Sequence, residues 1–214
     1  MKIGVLGTGI VGQTLGSKIV QSGHEVMMGS REPANIKATT WAKEEGPRAS
    51  FGTFAEAAAF GEILFNCTLG SASLGALRHA GADNLRSKIL VDTANPLDYS
   101  TNLWTLTVCN NDSLGEQIQR AFPDTKVVKS LNTMNCNVMV DPHKLTEKTD
   151  VFVSGNDIDA KAMVVSILRD WFGWRSIVDL GDISTSRSVE MYVILWHNLR
   201  NVISSPRFNI KVVS

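Results

Sequence analysis

The stretch Lys2-Ile-Gly-Val-Leu-Gly-Thr-Gly-Ile-Val-Gly12 runs a short apolar segment straight into glycines spaced as GxGxxG. The spacing Gly7, Gly9, Gly12 is weak evidence alone, because glycine is common. Its setting strengthens it: the string follows a predicted strand, residues 2–6, and opens a predicted helix, residues 10–21. Leu15, Ile19 and Val20 sit at helical spacing there, and Ser22-Gly23 stops the pattern. In such a unit the first glycine makes a tight turn and the second lets backbone approach a pyrophosphate. The third lets helix and strand pack closely. The phosphates then meet free N–H groups at the positive end of the helix dipole. A lysine before an apolar run also fits a signal peptide, but glycines at 4, 7, 9, 12 and 16 interrupt it and no small-residue cleavage site follows.

The remaining composition narrows the class. A chain of 214 residues, 43% hydrophobic and 20% charged, suits one domain with a smaller lobe and can bury its own core. Lys+Arg and Asp+Glu are 21 each, so the net charge is zero. Nothing supplies the basic field that a nucleic-acid or anionic-membrane binder relies on. The longest strictly apolar run, residues 191–196, falls far short of the ~20 residues that a membrane span needs. Cys67, Cys109 and Cys136 are too scattered for a disulfide framework, and no CxxC or paired-histidine spacing offers a metal site. A cytoplasmic, reducing setting fits.

Strands and helices alternate along the chain. Strands are expected at residues 25–28, 50–52, 62–67, 88–92, 126–131, 150–154 and 176–180. Helices are expected at 36–45, 53–60, 73–80, 113–122, 158–171 and 184–204. Thr53-Phe-Ala-Glu56 and Ser113-Leu-Gly-Glu116 both match a capping box. Residues 93–112 read as a long loop around Asn95-Pro96, and the regularity breaks again between 132 and 150. Alternation of this kind implies parallel pairing through right-handed crossovers. The expected fold is α/β: a doubly wound parallel sheet of Rossmann type over residues 1–150, with a small C-terminal α/β lobe, residues 151–214, ending in a long helix.

The second strand decides which dinucleotide is bound. An NAD site usually places Asp or Glu at that strand's tip to hold the ribose hydroxyls. Here Val26-Met-Met28 leads into Gly29-Ser-Arg31, and Glu32 follows only after the arginine. A hydroxyl and a guanidinium are what a 2′-phosphate wants, since arginine donates two parallel charge-assisted hydrogen bonds. The expected cofactor is NADP.

Ligands of open parallel sheets lie beyond the carboxyl ends of the strands. The segments there, Thr68-Leu-Gly-Ser71, Thr93-Ala-Asn-Pro96 and Asn132-Thr-Met-Asn-Cys136, are small, neutral and rich in amides and hydroxyls. That suits hydride transfer, in which the cofactor carries the chemistry and the protein supplies placement. Acid–base groups are scarce. His24 reads as a turn residue, and His79 and His143 as surface. His197 lies on a polar stripe of the last helix with Arg187, Glu190, Ile194 and Asn201. It is either a core histidine beside an Arg187–Glu190 pair or a pocket-lining group. Cys67 and Cys136 read as apolar filler rather than nucleophiles. The Tyr-xxx-Lys spacing of short-chain dehydrogenases is absent at both Tyr99 and Tyr192. The last helix carries more apolar surface than one core-facing side needs, so part of it is expected to pack against a second copy as a homodimer.

Gly7-Thr-Gly-Ile-Val-Gly12, Gly23-His-Glu-Val26 with Gly29-Ser-Arg31, Asn95-Pro-Leu-Asp98, Lys129-Ser-Leu-Asn-Thr133, Val153-Ser-Gly-Asn156 and Asp179-Leu-Gly-Asp182 occur in this order along the chain. Together they resemble the NADPH-dependent reductases of the deazaflavin coenzyme F420 and their bacterial relatives. The resemblance implies that Thr8, Ser30 and Arg31 contact the adenosine phosphate, and that Gly9, Ile10 and Val11 contact the pyrophosphate beside Gly12. It places Thr68, Leu69, Gly70, Asn95 and Pro96 around the nicotinamide and Cys136 at its carboxamide. It also implies a small C-terminal lobe over the second ring, and a dimer. There are departures: Asn132 stands where such reductases carry a histidine near the bound ring, Gly70 stands where they carry a bulky aromatic, and Asn35, with Lys37 nearby, replaces a basic residue.

The expected activity is hydride transfer between NADP(H) and a planar small-molecule acceptor, a deazaflavin or flavin, which needs close stacking more than it needs a protein acid. His197 and Asn132 are the candidate catalytic residues. Reduction of a small imine or carbonyl compound, with His197 or Thr93 as proton donor, is the alternative enzyme. A non-catalytic NADP-sensing module is the alternative of another class.

Overall fold

The computed structural model describes residues 1–98, 100 and 104–213; Tyr99 lies outside them. The chain opens with strand β1 (Lys2–Leu6), helix α1 (Ile10–Gln21), strand β2 (Glu25–Ser30), helix α2 (Ile36–Glu45) and strand β3 (Ala49–Thr53). Helix α3 (Phe54–Phe60), strand β4 (Ile63–Asn66), helices α4 (Gly70–Ala80) and α5 (Ala82–Leu85) and strand β5 (Ile89–Asp92) follow. β1, β2, β3, β4 and β5 pair in parallel in the order β3-β2-β1-β4-β5, and the direction of strand addition reverses between β1 and β4. Strand β8 (Lys126–Ser130), reached through helix α6 (Leu114–Ala121), joins parallel to β5. This is the doubly wound arrangement, with its ligand crevice at the reversal.

The chain between β5 and β8 is not wholly irregular. Two short strands, β6 (Leu97–Asp98) and β7 (Thr105–Leu106), pair antiparallel within it. A second departure from expectation comes after β8. Strand β9 (Asp150–Gly155) pairs with β8 antiparallel, through Val128↔Gly155 and Ser130↔Val153. The chain between them holds only the four-residue helix α7 (Cys136–Met139) and a 3-10 turn, Pro142–Lys144. No crossover helix carries the chain back across the sheet, so β9 starts where β8 ends. Helix α8 (Ile158–Asp170) then returns the chain to strand β10 (Ser176–Asp179), which is parallel to β9. The sheet is thus continuous over eight strands.

Apolar side chains bury both faces. Leu15 and Ile19 of α1, Trp41 of α2, Val138 of α7 and Val164 and Ile167 of α8 cover one face. Phe54, Ala57, Leu77, Leu85, Leu114 and Ile118 cover the other. The capping box at Thr53 closes in both directions with Glu56. At Ser113 the hydroxyl accepts from the Glu116 amide and donates to the Glu116 carboxylate, so that side chain does not reach back to the cap amide.

Glu116 has another partner. The long helix α9 (Ser186–Ile203) lies against α6, and Arg187 binds Glu116 through Nε (2.8 Å) and Nη2 (2.5 Å). The expected Arg187–Glu190 pair does not form, because Glu190 turns the other way, to Lys129. The Arg187 guanidinium, with help from the Ser113 hydroxyl, holds the Glu116 carboxyl below the usual glutamate value despite partial burial. A depressed folded-state value stabilises the fold above the unfolded pKa, and the stabilisation is lost as pH falls through the folded value. Glu116→Gln is expected to cost about 1 kcal/mol at pH 7 by urea denaturation, with the difference from wild type vanishing in acid.

Candidate active site

Three glycines set the geometry of the crevice. Gly7 has φ +121°, in the region only glycine enters freely, and a side chain there would meet the Cys67 carbonyl at 2.6 Å. A Cβ on Gly12 would sit 2.1 Å from the Gly7 carbonyl oxygen, so α1 approaches the turn as closely as backbone allows. Gly9 differs: a Cβ there would touch nothing within 4 Å. Gly9 is also the N-cap of α1 and no side chain caps that helix, whereas Asn35, Thr53, Ser113 and Asp157 cap α2, α3, α6 and α8. Free N–H groups facing open space fit a pyrophosphate. Thr8 and Val11 are half-buried beside the turn, Ile10 is exposed, and the Thr8 carbonyl accepts from Gln13 at 2.9 Å.

The pairing Leu6↔Gly29 brings Ser30 and Arg31 next to the glycine turn. Ser30 is buried, and its hydroxyl accepts from the Glu32 amide at 3.2 Å and donates to the Glu32 carbonyl, folding the loop back on itself. Arg31 is exposed. Asn35 caps α2 by accepting from the Lys37 and Ala38 amides, which explains an asparagine there, and Lys37 is exposed.

Across the reversal, the first turn of α1 and the segments after β4, β5 and β8 line a cleft of about 190 Å³. Val11, Thr68, Leu69, Gly70 and Asn95 line it together with Asn132, Met134, Trp104 and the α9 residues Val193 and Trp196. Among the described residues, none that lines it is charged. Gly70 is required: a Cβ there would lie 2.0 Å from the Asn95 carbonyl oxygen and 2.8 Å from the Pro96 Cα. The backbone of residues 95 and 96 occupies the space that a larger residue would need.

Beneath the lining lies a buried polar lattice. Asn66 donates to Asp92 (2.8 Å) and to the Ser73 hydroxyl (3.1 Å) and accepts from the Thr68 hydroxyl (2.7 Å). The Thr93 hydroxyl donates to the Asn66 carbonyl at 2.9 Å. Asn132 donates both amide protons, to Asn95 Oδ1 (2.8 Å) and to the Val189 carbonyl of α9 (2.9 Å), while Asn95 donates to the Asn132 carbonyl at 2.8 Å. Asn132 therefore has no proton left to give and clamps three elements together. Leu131, just before it, is buried with φ +65°, a conformation that costs on the order of 1–3 kcal/mol in a non-glycine residue and that concentrates at functional sites.

The cleft does not gather every candidate. His197 stands behind its wall, stacked on Trp104 at 4.0 Å and 14° and within 3.3 Å of Asn201. Cys136 is buried in the first turn of α7 and lies outside the lining. Cys67 lines the cleft, but burial pushes its thiol up to about 12, which leaves it without thiolate at neutral pH. Met134 falls in a strand-end segment that the sequence reading placed at the ligand; Trp104, Val193 and Trp196 escaped that reading, since an apolar residue lining a cleft carries no mark distinguishing it from core. Lys129 escaped it too, although a lysine inside an apolar strand is a signal that it must have buried partners.

Two substitutions separate cofactor contact from fold. Gly9→Val is expected to leave thermal stability unchanged and abolish NADPH binding by titration, whereas Gly12→Ala lowers both stability and binding, by displacing α1.

Comparison with known proteins agrees with this geometry. Residues 2–96 match the family described as NADP oxidoreductase, coenzyme F420-dependent. A crystal structure of a candidate F420-dependent NADP reductase from Arthrobacter sp. FB24 is 46% identical, covers 100% of both chains and superposes with a TM-score of 0.95. An F420-dependent NADP reductase of Methanocaldococcus jannaschii is 27% identical over 203 residues, covering 89% of this chain and 88% of its own. Metalloreductase STEAP3 of Rattus norvegicus is 28% identical over 193 residues; this chain spans 36% of its length. No helix among the described residues is long and apolar enough to cross a membrane. The chain belongs to the coenzyme F420-dependent NADP oxidoreductase family, a family of NADP-dependent oxidoreductases.

Proposed function

We propose that the protein binds NADP(H) across the β1–β4 reversal and transfers hydride to a planar ring, a deazaflavin such as coenzyme F420 or a flavin, seated in the cleft. The observation that carries this reading is the cleft's lining: apolar, amide and hydroxyl groups, with no charge among the described residues, at the reversal point of a doubly wound sheet. Gly9, Ile10 and Val11 would hold the pyrophosphate, with Thr8, Ser30 and Arg31 at the adenosine phosphate. Ser30 contributes by shaping the loop, since its hydroxyl is engaged with Glu32. Thr68, Leu69, Gly70, Asn95 and Pro96 would wall the nicotinamide. NADPH, when bound, supplies the hydride.

The protein's own part is placement. Trp104, Trp196, Val193 and Met134 give an acceptor ring flat apolar surface and exclude water. The hydroxyl of Thr93 is committed to Asn66, and both amide protons of Asn132 are committed. His197 is screened by Trp104. With the Thr93 hydroxyl and the Asn132 amide committed and His197 outside the lining, the site favours a ring that accepts hydride directly over an imine or carbonyl compound needing protonation in the same step. Residues 151–214 serve as the cover, through α9. The exposed Leu195, Val202 and Ile203 on that helix favour association with a second copy, and the free cysteines fit the cytoplasm.

NADPH oxidation followed against FMN, FAD, riboflavin and a deazaflavin tests the reading. Tight NADP binding with no turnover on any of them would favour a sensing module instead. Arg31→Ala is expected to weaken NADPH binding by on the order of 2 kcal/mol and leave NADH nearly unchanged, as for loss of a charge-assisted contact. Equal losses for both cofactors in the same titration would remove Arg31 from the phosphate site.

A further inference from the structure

Lys129 lies in β8 with its side chain fully buried, and none of the chemistry above uses it. Its ammonium group binds Asp92 Oδ2 at 2.8 Å, Glu190 Oε1 at 2.7 Å and the Ala94 carbonyl at 2.5 Å. Each partner belongs to a different part of the cleft's frame. Asp92 ends β5 and is held by Asn66 (2.8 Å) and the Ala94 amide (3.2 Å). Ala94 itself lines the cleft. Glu190 belongs to α9 and accepts the Leu114 (2.8 Å) and Gly115 (3.0 Å) amides at the start of α6. Burial alone would lower the lysine's pKa, but the two carboxylates push it above its ordinary value, so the group stays charged.

A buried triad of this kind is a poor source of stability. Desolvating the charges costs about as much as their attraction returns, and apolar replacements of similar volume are often neutral or stabilising. What the triad fixes is register. Thr93, Ala94 and Asn95 line the cleft beside the proposed nicotinamide position, and Val193 and Trp196, one and two turns beyond Glu190, line it from α9. Lys129 is bonded directly to both supports, Asp92 and the Ala94 carbonyl on one hand and Glu190 of α9 on the other. Three residues on, Asn132 repeats the connection by tying Asn95 to Val189 of α9. Between the two ties lies the strained Leu131, whose conformation persists because both sides of it are pinned.

We propose that Lys129 is a positioning residue: by joining the Ala94 carbonyl to Glu190, it sets the spacing between the cleft-lining segment after β5 and α9, and so the placement of the nicotinamide end of the cofactor. It acts through Ala94 and α9 and touches no substrate. The inference rests on the cofactor reading above, and the adenosine half of the site lies elsewhere, at β1 and β2, beyond the reach of these contacts.

The test compares adenosine 2′,5′-bisphosphate, which lacks the nicotinamide, with NADPH, read by its fluorescence when the protein's tryptophans are excited. In Lys129→Met the tryptophan-to-nicotinamide transfer should fall and the NADPH Kd rise by about tenfold, the scale expected when a reacting group is misplaced by a fraction of an ångström. The bisphosphate Kd should stay within about twofold, below the scale of a lost contact. Because Lys129→Met leaves two buried carboxylates, the neutral triple variant Asp92→Asn, Lys129→Met, Glu190→Gln is measured alongside it; it keeps an acceptor oxygen for the Ala94 amide and for one of the Leu114 and Gly115 amides. Unchanged NADPH signal and affinity in a folded variant would overturn the proposal. Equal loss of both ligands would overturn it, and so would failure of even the triple variant to fold, since each outcome makes the triad a general support of the structure. Wild-type protein that binds neither ligand would instead defeat the cofactor reading itself.

Discussion

The closeness with which α1 may approach the end of β1 governs the rest of the site. With 2.1 Å between the Gly7 carbonyl and the place a Gly12 Cβ would take, any side chain at residue 12 pushes the helix outward. Displacing the helix would turn its first N–H groups away from the open space above Gly9 and lift Val11 from the cleft. The same approach brings the turn against the Cys67 carbonyl, and so against the end of β4. One backbone contact therefore aligns the dinucleotide turn with the strand reversal, and the reversal creates the crevice.

Around that crevice the protein spends its polar groups on structure. Asn66, Asp92, Thr93, Asn95, Lys129, Asn132 and Glu190 are bonded chiefly to one another and to backbone, and they join β4, β5, β8, α6 and α9. A low-dielectric interior makes such a lattice rigid when it is satisfied. The surface it presents is neutral and apolar. The departures from the deazaflavin reductases fit this picture: Asn132 is a clamp, and Gly70 leaves room for the backbone of residues 95 and 96.

Much of this was legible in the chain, for local reasons. The glycine string, the cap residues Thr53 and Ser113 and the apolar runs of β1, β4 and β5 act over a few residues, so their reading located the elements within a residue or two. The order of chemistry-bearing segments then placed the crevice. What could not be read was long-range. The antiparallel entry of β9 depends on how residues 131–149 leave the sheet, and no local pattern announces it. Arg187 and Glu190 stand three apart on one helix, a spacing that favours pairing, yet each found a buried partner more than sixty residues away. Ser30 was legible as a loop hydroxyl, but its engagement with Glu32 is a matter of loop conformation. Trp104 and Trp196 became cleft walls only when β6–β7 and α9 met over the strand ends.

The central claim to test is direct transfer of hydride from NADP(H) to a ring held in the cleft. NADPH carrying deuterium at both positions of nicotinamide C4, incubated with the protein and a deazaflavin in ordinary water, reports on it directly, because a deazaflavin keeps the transferred atom on carbon. Mass spectrometry should find deuterium in the reduced deazaflavin. A product reduced with hydrogen from solvent, or no reduction beside demonstrable NADPH binding, would contradict the account.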